Sequence, residues 1–329
     1  MQGGEDLDSI CAGLHGRHSR LAAGERLRAL CGEASPRALA ERLYPGAGLD
    51  SAAALQRRLM ADYCAETARL AGRLCGARGR LLRWMAARPQ LENIKVLVRR
   101  LYGGPGAPGL LLELAPGMAC GAGSAPADMP ALAAMTPEGP LREALAASYK
   151  ARPEGPAFLH EAALERAYYS QLAAALGALS REDRASAGPL LRQELAAYNL
   201  ALAARSLAAG LAGGAEEFFV PGSAIDRLRF RAMLAAGGLG PLRSMAAGRA
   251  VYAGPPVEDP ALLDQMARRR YAITAARTWT ADPSGFGAVA AYAALRRLET
   301  EDLARLSEGL RLGLAPGELS SLVGLEAHA

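Results

Sequence analysis

Apolar residues recur along the chain with the spacing of helices. A stripe of Leu55, Leu59, Tyr63, Leu70 and Leu74 runs at intervals of four or seven residues, and arginine and glutamate fall mostly between them. This is the pattern of a helix that buries one face. We therefore predict a long amphipathic helix over this stretch.

A second stripe follows at intervals of three and four. Its members are Leu91, Ile94, Val98 and Leu101, with Pro89 just before the expected start of the helix. Proline is well tolerated in the first turn, where its missing N–H would have no intrahelical partner. The pattern predicts a second long helix after the first.

The first stripe returns further along the chain, as Leu164, Tyr168, Leu172 and Leu176. A shorter helix is predicted before the first stripe, where Ser35 precedes Pro36 and suits an N-cap. These elements together predict an almost entirely helical protein.

Three positions recur in nearly fixed register, shifted by about 105 and then by about 103 residues. They are Tyr44, Tyr63 and Asn93, then Tyr149, Tyr168 and Asn199, then Tyr252, Tyr271 and Asp302. The shift predicts an internal triplication into helical domains over residues 1–105, 106–213 and 214–329, each of ordinary domain size. The glycine-rich stretches at 102–109 and 208–217 lie near the predicted joints.

An asparagine within an apolar helix needs a reason. Asn93 stands among leucine, isoleucine and valine, and Asn199 and Asp302 take the same place in the other copies. A buried asparagine can bond a neighbouring backbone group and fix how two helices meet. We interpret these residues as packing determinants, because no set of catalytic residue types accompanies them.

Composition supports helices. Apolar residues make up 51% of the chain, charged residues 22% and aromatic residues 5%. The core must therefore be mostly leucine and alanine, which favour helices, while the scarcity of valine and isoleucine argues against a large sheet.

The net charge of the chain excludes few classes of function. The net charge is +5 and the isoelectric point is near 9.1, with arginines interleaved among acidic residues. A nucleic-acid-binding stripe is not visible, so a solvated helical surface is the main interpretation, with a preference for acidic partners or anionic lipid head groups as the alternative.

The first ten residues lack the apolar region of a signal peptide, and no run of about 18 apolar residues occurs. We expect a cytoplasmic protein.

No pattern of catalytic chemistry emerges. The five cysteines form no CxxC pair, and neither a P-loop nor an H-E-x-x-H zinc motif occurs. His15 and His18 are expected to face solvent, and Cys75, although set among arginines, has no histidine or aspartate partner in view. We therefore expect no cofactor, no metal, no small-molecule substrate and no nucleic acid, with a cysteine-dependent or metal-dependent enzyme as the least favoured alternative.

The segment LENIKVLVRR (91–100) and the tail at 285–323 resemble the C subunit of V/A-type ATP synthases, whose eukaryotic counterpart is the d subunit of the vacuolar ATPase. The closing helix of that family matches here at Tyr292, Glu299, Asp302, Leu303 and Gly309. Asp302 stands where the family has asparagine, and Ala304 where it has arginine.

The resemblance implies a fold and a role. The family has three similar helical domains around a pseudo-three-fold axis, which form a funnel. The resemblance also implies a non-catalytic rotor subunit that sits on the cytoplasmic face of the membrane proteolipid ring. Its funnel receives central-stalk subunits D and F and couples their rotation to the ring, for ion transport. The alternative is a free-standing helical scaffold that binds a soluble protein partner.

The copies differ in charge six residues after the repeated Asn or Asp. Arg99 and Arg205 are basic there, and Glu308 is acidic. A stalk without three-fold symmetry needs one side of the funnel to differ, and charge can fix orientation. We hypothesise that these three residues lie near the funnel lining or its rim. The alternative is that they are solvated helix charges.

Overall fold

The computed structural model describes residues 7–103, 126–242 and 260–323. Every regular element in these ranges is a helix, and no strand occurs in them. The all-α prediction is therefore confirmed for this part of the chain.

The helices are α1 (Leu7–His18), α2 (Glu25–Leu30), α3 (Pro36–Leu43), α4 (Ala52–Arg73), α5 (Gly76–Ala86), α6 (Arg88–Leu101), α7 (Met129–Met135), α8 (Pro140–Ala151), α9 (Ala157–Gly177), α10 (Arg181–Ala208), α11 (Arg227–Leu234), α12 (Pro260–Ala281), α13 (Phe286–Arg311) and α14 (Pro316–Leu322), with a 3-10 helix over Ala212–Phe218.

The predicted helices form with the predicted buried faces. In α4 the stripe through Leu55, Leu59 and Tyr63 is buried, and in α6 Leu91 and Ile94 are buried. The helix expected around Pro36 is α3, and the Ser35 hydroxyl accepts a hydrogen bond from the Ala38 N–H at 3.1 Å. The N-cap prediction is confirmed.

The second predicted helix of the first copy is α6, which begins at Arg88, and it is preceded by a separate helix, α5, that the stripes did not predict. Pro89 lies inside the first turn of α6 rather than before it. Proline has no N–H to donate to the carbonyl of Met85, four residues earlier. The hydroxyl of Tyr63 donates to that carbonyl instead, at 3.4 Å. The corresponding helices α10 and α13 run unbroken over 28 and 26 residues.

The long helices pack in a closed order. α4 packs on α5, α5 and α6 pack on α9, α9 on α10, α10 on α12, α12 on α13, and α13 returns to α4. The main hydrophobic core is continuous from α1 to α13. A smaller apolar cluster lies under α2, α3 and α14.

Residue 105 lies outside the described residues and residue 213 lies in the 3-10 helix, so the division into three domains stays a prediction.

A carboxylate on α4 ties the two ends of this arrangement together. Glu66 accepts hydrogen bonds from Arg17 of α1 at 3.0 Å, and from Tyr292 and Arg296 of α13 at 2.8 and 3.1 Å. Burial alone would raise the pKa of Glu66, but the Tyr292 hydroxyl and the two arginines lower it below the ordinary value. The carboxylate is therefore held ionised where the last long helix meets the first.

Candidate partner-binding cavity

An open cavity of about 630 Å³ lies where the long helices converge. Its walls come mainly from α6, α10, α12 and α13, with smaller contributions from α4 and α9. Each of the three predicted copies therefore supplies residues to one space.

The lining residues stand in a fixed register relative to the repeated positions. The residues three positions before a repeated tyrosine are Met60, Glu165 and Arg268. Those five positions before the repeated Asn or Asp are Arg88, Glu194 and Arg297, and those one position before it are Glu92, Tyr198 and Glu301. All nine line the cavity. The positions that the predicted repeat makes equivalent therefore line one cavity, with different side chains in each predicted copy.

The residues five positions before the repeated Asn or Asp are Arg88, Glu194 and Arg297, and the last two form an ion pair. Glu194 accepts a hydrogen bond from Arg297 at 2.8 Å and another from the Tyr271 hydroxyl at 3.1 Å. Arg88 instead lies 2.9 Å from Glu92 and also donates to the Tyr169 hydroxyl. Glu194 is the one carboxylate among these three residues, and it pairs with Arg297 and not with Arg88.

A second buried ion pair joins α6 to α9. The Lys95 ammonium lies 2.6 Å from Glu165, and their side chains are only 6% and 5% exposed. Arg205 of α10 also donates to Glu165. Burial alone would raise the pKa of Glu165, yet Lys95 and Arg205 hold it far below its ordinary value. Removing either cation would leave a charge buried without its partner, which is costly.

On α13, Asp302 and Glu301 share one arginine. Arg268 of α12 donates to Asp302 at 2.7 Å and to Glu301 at 3.0 Å. Burial raises the pKa of Asp302 in spite of this arginine. Burial also acts to raise the pKa of Glu301, but Arg268 and Arg297 hold it below its ordinary value. Asp302, in the place of Asn93 and Asn199, therefore serves an ion pair between two helices.

The repeated asparagines are both buried. Asn199 Nδ2 donates to the Val220 carbonyl at 2.8 Å, and its Oδ1 accepts from the Val220 N–H at 3.2 Å. Asn199 therefore fixes the backbone that follows the 3-10 helix to α10. Asn93 is 2% exposed in α6.

The repeated tyrosines divide into two sets. Tyr63, Tyr168 and Tyr271 are buried in α4, α9 and α12, and of these Tyr271 lines the cavity. Tyr44 is the C-cap residue of α3 and Tyr149 lies in α8. Tyr252 lies outside the described residues.

The residues proposed for orientation are placed apart. Arg205 lines the cavity. Arg99 makes two hydrogen bonds to Glu161 of α9, at 2.8 and 2.7 Å, and Glu308 pairs with Arg311 one helical turn away. Neither Arg99 nor Glu308 belongs to the residues that line the cavity. Their role in orienting a partner remains a hypothesis.

The buried ion pairs of Glu165, Glu194, Arg268 and Arg297 were not predicted from the sequence. The signal was present, because each stands at a fixed distance from a repeated Tyr, Asn or Asp. Extending the repeat comparison to every neighbouring position would have found them. Composition and motif searches could not, since these residues resemble ordinary helix surface charges.

His15, which was predicted to face solvent, is exposed, whereas His18 is half-buried, and both rings contact Trp279. The His18 ring stacks on Trp279 with ring centroids 4.3 Å apart, and His15 lies 4.8 Å from the same ring. His15 also hydrogen-bonds the Pro283 carbonyl at 3.0 Å. The sequence could not show this, because Trp279 lies on α12, far along the chain.

The cysteines and the possible metal ligands are the residues on which the enzyme alternative depended. No group of three or more His, Cys, Asp or Glu that could hold a metal ion occurs in these ranges. Cys11, Cys31 and Cys64 are buried, and burial raises the pKa of each thiol, while Cys75 is exposed. None of the helices that the structure describes is long and apolar enough to cross a membrane.

Comparison with known proteins assigns the chain to a family. A model of the family described as ATP synthase (C/AC39) subunit matches residues 10–322. No curated protein sequence matches the chain. The family match extends over all the long helices and every residue that lines the cavity. The chain therefore belongs to the ATP synthase (C/AC39) subunit family.

Proposed function

We propose that this chain is a non-catalytic rotor subunit of a V/A-type ATPase or ATP synthase. It joins central-stalk subunits D and F to the membrane proteolipid ring, and so couples stalk rotation to ion transport. It lies at the cytoplasmic face of the membrane, held there by the complex. The observation that carries the proposal is the family match together with a cavity toward which all three helix pairs converge.

The packing order supports a part that transmits torque. Each long helix packs on the next and the last packs on the first. Ion pairs cross several of these contacts, including Lys95–Glu165, Arg297–Glu194 and Arg296–Glu66. An arrangement of described helices that closes in this way resists bending, because a bend would have to open at least one of these packed contacts. Within the proposal, the three helix pairs are copies arranged about a pseudo-three-fold axis, and the cavity is the mouth of a funnel.

The test is capture from membranes. The full chain carrying an affinity tag is expressed in its own cells, the membranes are solubilised in mild detergent, and the bound proteins are identified. The proposal requires stalk subunits D and F and the proteolipid to be captured together. Capture of neither, with the tagged chain soluble and folded, would contradict the proposal and favour a free-standing scaffold.

A further inference from the structure

A second, smaller cleft lies apart from the cavity described above. Its volume is about 310 Å³, near the lower end of the range of about 300–1,000 Å³ in which small ligands bind. One wall comes from α5 and the first turn of α6, and the other comes from residues 137–141, which lead into α8. The cleft and the cavity have no lining residue in common, so this is a separate site.

A buried amide without a partner lies in this cleft. Gln90 lines the cleft and is only 9% exposed, yet its side chain makes no hydrogen bond to any described residue. Buried polar groups are nearly always hydrogen-bonded in proteins, and one that is not costs free energy unless water or a ligand supplies a partner. The amide of Gln90 has both a donor and an acceptor, and a peptide group of a ligand would match both.

The N-terminus of α8 opens into the same cleft. Gly139 is the N-cap residue, so no side chain accepts a hydrogen bond from the first N–H groups of the helix, and Pro140 has no N–H. The N–H groups of Leu141 and Arg142 therefore have no side-chain acceptor. The dipole of the helix favours a negatively charged acceptor at this place.

The charges of the cleft narrow the class of ligand. Arg83 is exposed at the cleft and makes no ion pair with a described residue. Glu138 also lines the cleft, but its side chain is 91% exposed and lies 3.6 Å from Arg142. One unpaired arginine beside one partly offset carboxylate suits a single negative charge better than the nearly double charge of a phosphate. Trp84 and Leu141 add apolar surface beside these groups.

We propose that this cleft binds the C-terminal end of a polypeptide. The terminal carboxylate accepts hydrogen bonds from the first N–H groups of α8 and from Arg83, Gln90 pairs with the last peptide group, and the last side chain packs on Trp84. One turn of an α-helix about 10 Å across fills roughly 420 Å³ as a cylinder, which is more than the cleft holds, so the bound chain end is extended. Capture of a terminal carboxylate by backbone N–H groups is a known mode of peptide recognition. The inference does not depend on the proposed function.

The first test changes the ligand. The full chain is titrated with acetyl-leucyl-leucine that carries a free carboxylate, with the same dipeptide as its C-terminal amide, and with inorganic phosphate. Binding is followed by nuclear magnetic resonance of the indole N–H groups of the two tryptophans, of which Trp84 is identified by its loss in Trp84→Phe. The free acid is expected to bind at least about tenfold more tightly than the amide, and to shift the signal of Trp84 and not that of Trp279.

The second test changes the cleft. Gln90→Leu removes the amide at nearly constant volume and should weaken binding of the free acid about tenfold, because two hydrogen bonds are lost. The variant should melt no lower than the wild type, since the amide has no hydrogen-bond partner among the described residues. Arg83→Gln should weaken binding and reduce its dependence on salt, whereas Arg80→Gln, at an exposed arginine of α5 outside the cleft, should change neither.

Several results would overturn the proposal. Equal binding of the acid and the amide would show that the carboxylate takes no part. Binding by Gln90→Leu as tight as that of the wild type would remove the role of the buried amide, and tighter binding of phosphate than of the free acid would indicate a different ligand. Absence of any binding at about 10 mM dipeptide would also overturn it. None of these results bears on the proposed function, which the capture experiment tests separately.

Discussion

At the scale of single residues, the three buried tyrosines share a register and differ in their contacts. Tyr63 donates to the Met85 carbonyl and Tyr271 to Glu194, while the Tyr168 hydroxyl is buried without a hydrogen-bond partner. Their positions could be predicted from the sequence, because the period is nearly constant. Their partners could not, because each depends on a residue brought in by another helix.

This difference predicts opposite results for the same chemical change. Tyr63→Phe removes the donor to the Met85 carbonyl and should lower the free energy of unfolding by about 1 kcal/mol. Tyr168→Phe removes a buried hydroxyl that has no partner, so it should be neutral or slightly stabilising. Urea denaturation of both variants measures this. A greater loss for Tyr168→Phe than for Tyr63→Phe would contradict the assignment.

A buried histidine distinguishes the second helix pair from the other two. His160 is fully buried, with Nδ1 2.8 Å from the Ser148 hydroxyl and Nε2 2.8 Å from the Tyr102 hydroxyl. The same register position is Leu55 in α4 and Leu263 in α12, both buried. Burial lowers the pKa of His160 below its ordinary value of 6.5. The imidazole is therefore stable in its neutral form.

The histidine should make stability depend on pH. Because its pKa is lower in the folded protein, the unfolded chain binds more protons as the pH falls below about 6.5, and stability is lost there. His160→Leu removes this contribution. On acidification, the unfolding free energy of the wild type should therefore fall relative to that of the variant, by up to about 1.4 kcal/mol per pH unit. Urea denaturation at about pH 7.5 and about pH 5 tests this. A constant difference between the two pH values would refute it.

At the scale of elements, the turn from α4 to α5 depends on one glycine. A Cβ on Gly79 would lie 2.3 Å from the Leu74 carbonyl oxygen and 3.2 Å from that of Ala71. These are backbone atoms that cannot move aside as a flexible side chain could. The close approach fixes how α5 crosses α4, and with it the placing of α6 at the cavity.

Gly79→Ala should therefore destabilise the protein by about 2 kcal/mol or more, because the backbone must shift. The control is Gly72→Ala in α4, where a Cβ would meet nothing within 4 Å. Alanine there should be neutral or stabilise the helix by up to about 1 kcal/mol. Thermal melting compares the two variants, and equal melting temperatures would contradict this view of the turn.

The elements show what a hydrophobic pattern can and cannot predict. The stripes predicted α4, α6 and α9, because a buried helical face leaves a period of 3.6 residues. The helix α5 was not predicted, because no stripe was identified over its residues. Pro89 did signal the start of α6, and it also frees the Met85 carbonyl, which Tyr63 supplies with a donor. Pro189 interrupts neither the course nor the length of α10, where it lies at an exposed position.

At the scale of the whole molecule, the helices close on themselves through polar contacts that a single sequence does not reveal. Glu66 joins α1, α4 and α13, and Glu165 joins α6, α9 and α10. The all-helical fold followed from composition and period. The cavity did not, because its lining combines residues more than 200 positions apart, such as Met60 and Arg305.

Under the proposed function, the chain transmits rotation from the central stalk to the proteolipid ring. The most direct measurement compares ATP hydrolysis with ATP-driven ion uptake in membrane vesicles from cells that lack the chain, before and after the purified full chain is added. We expect ATP hydrolysis to continue without the chain while ion uptake is lost, and we expect added chain to restore uptake. Ion uptake at the normal rate in the absence of the chain would show that the chain does not couple the stalk to the ring.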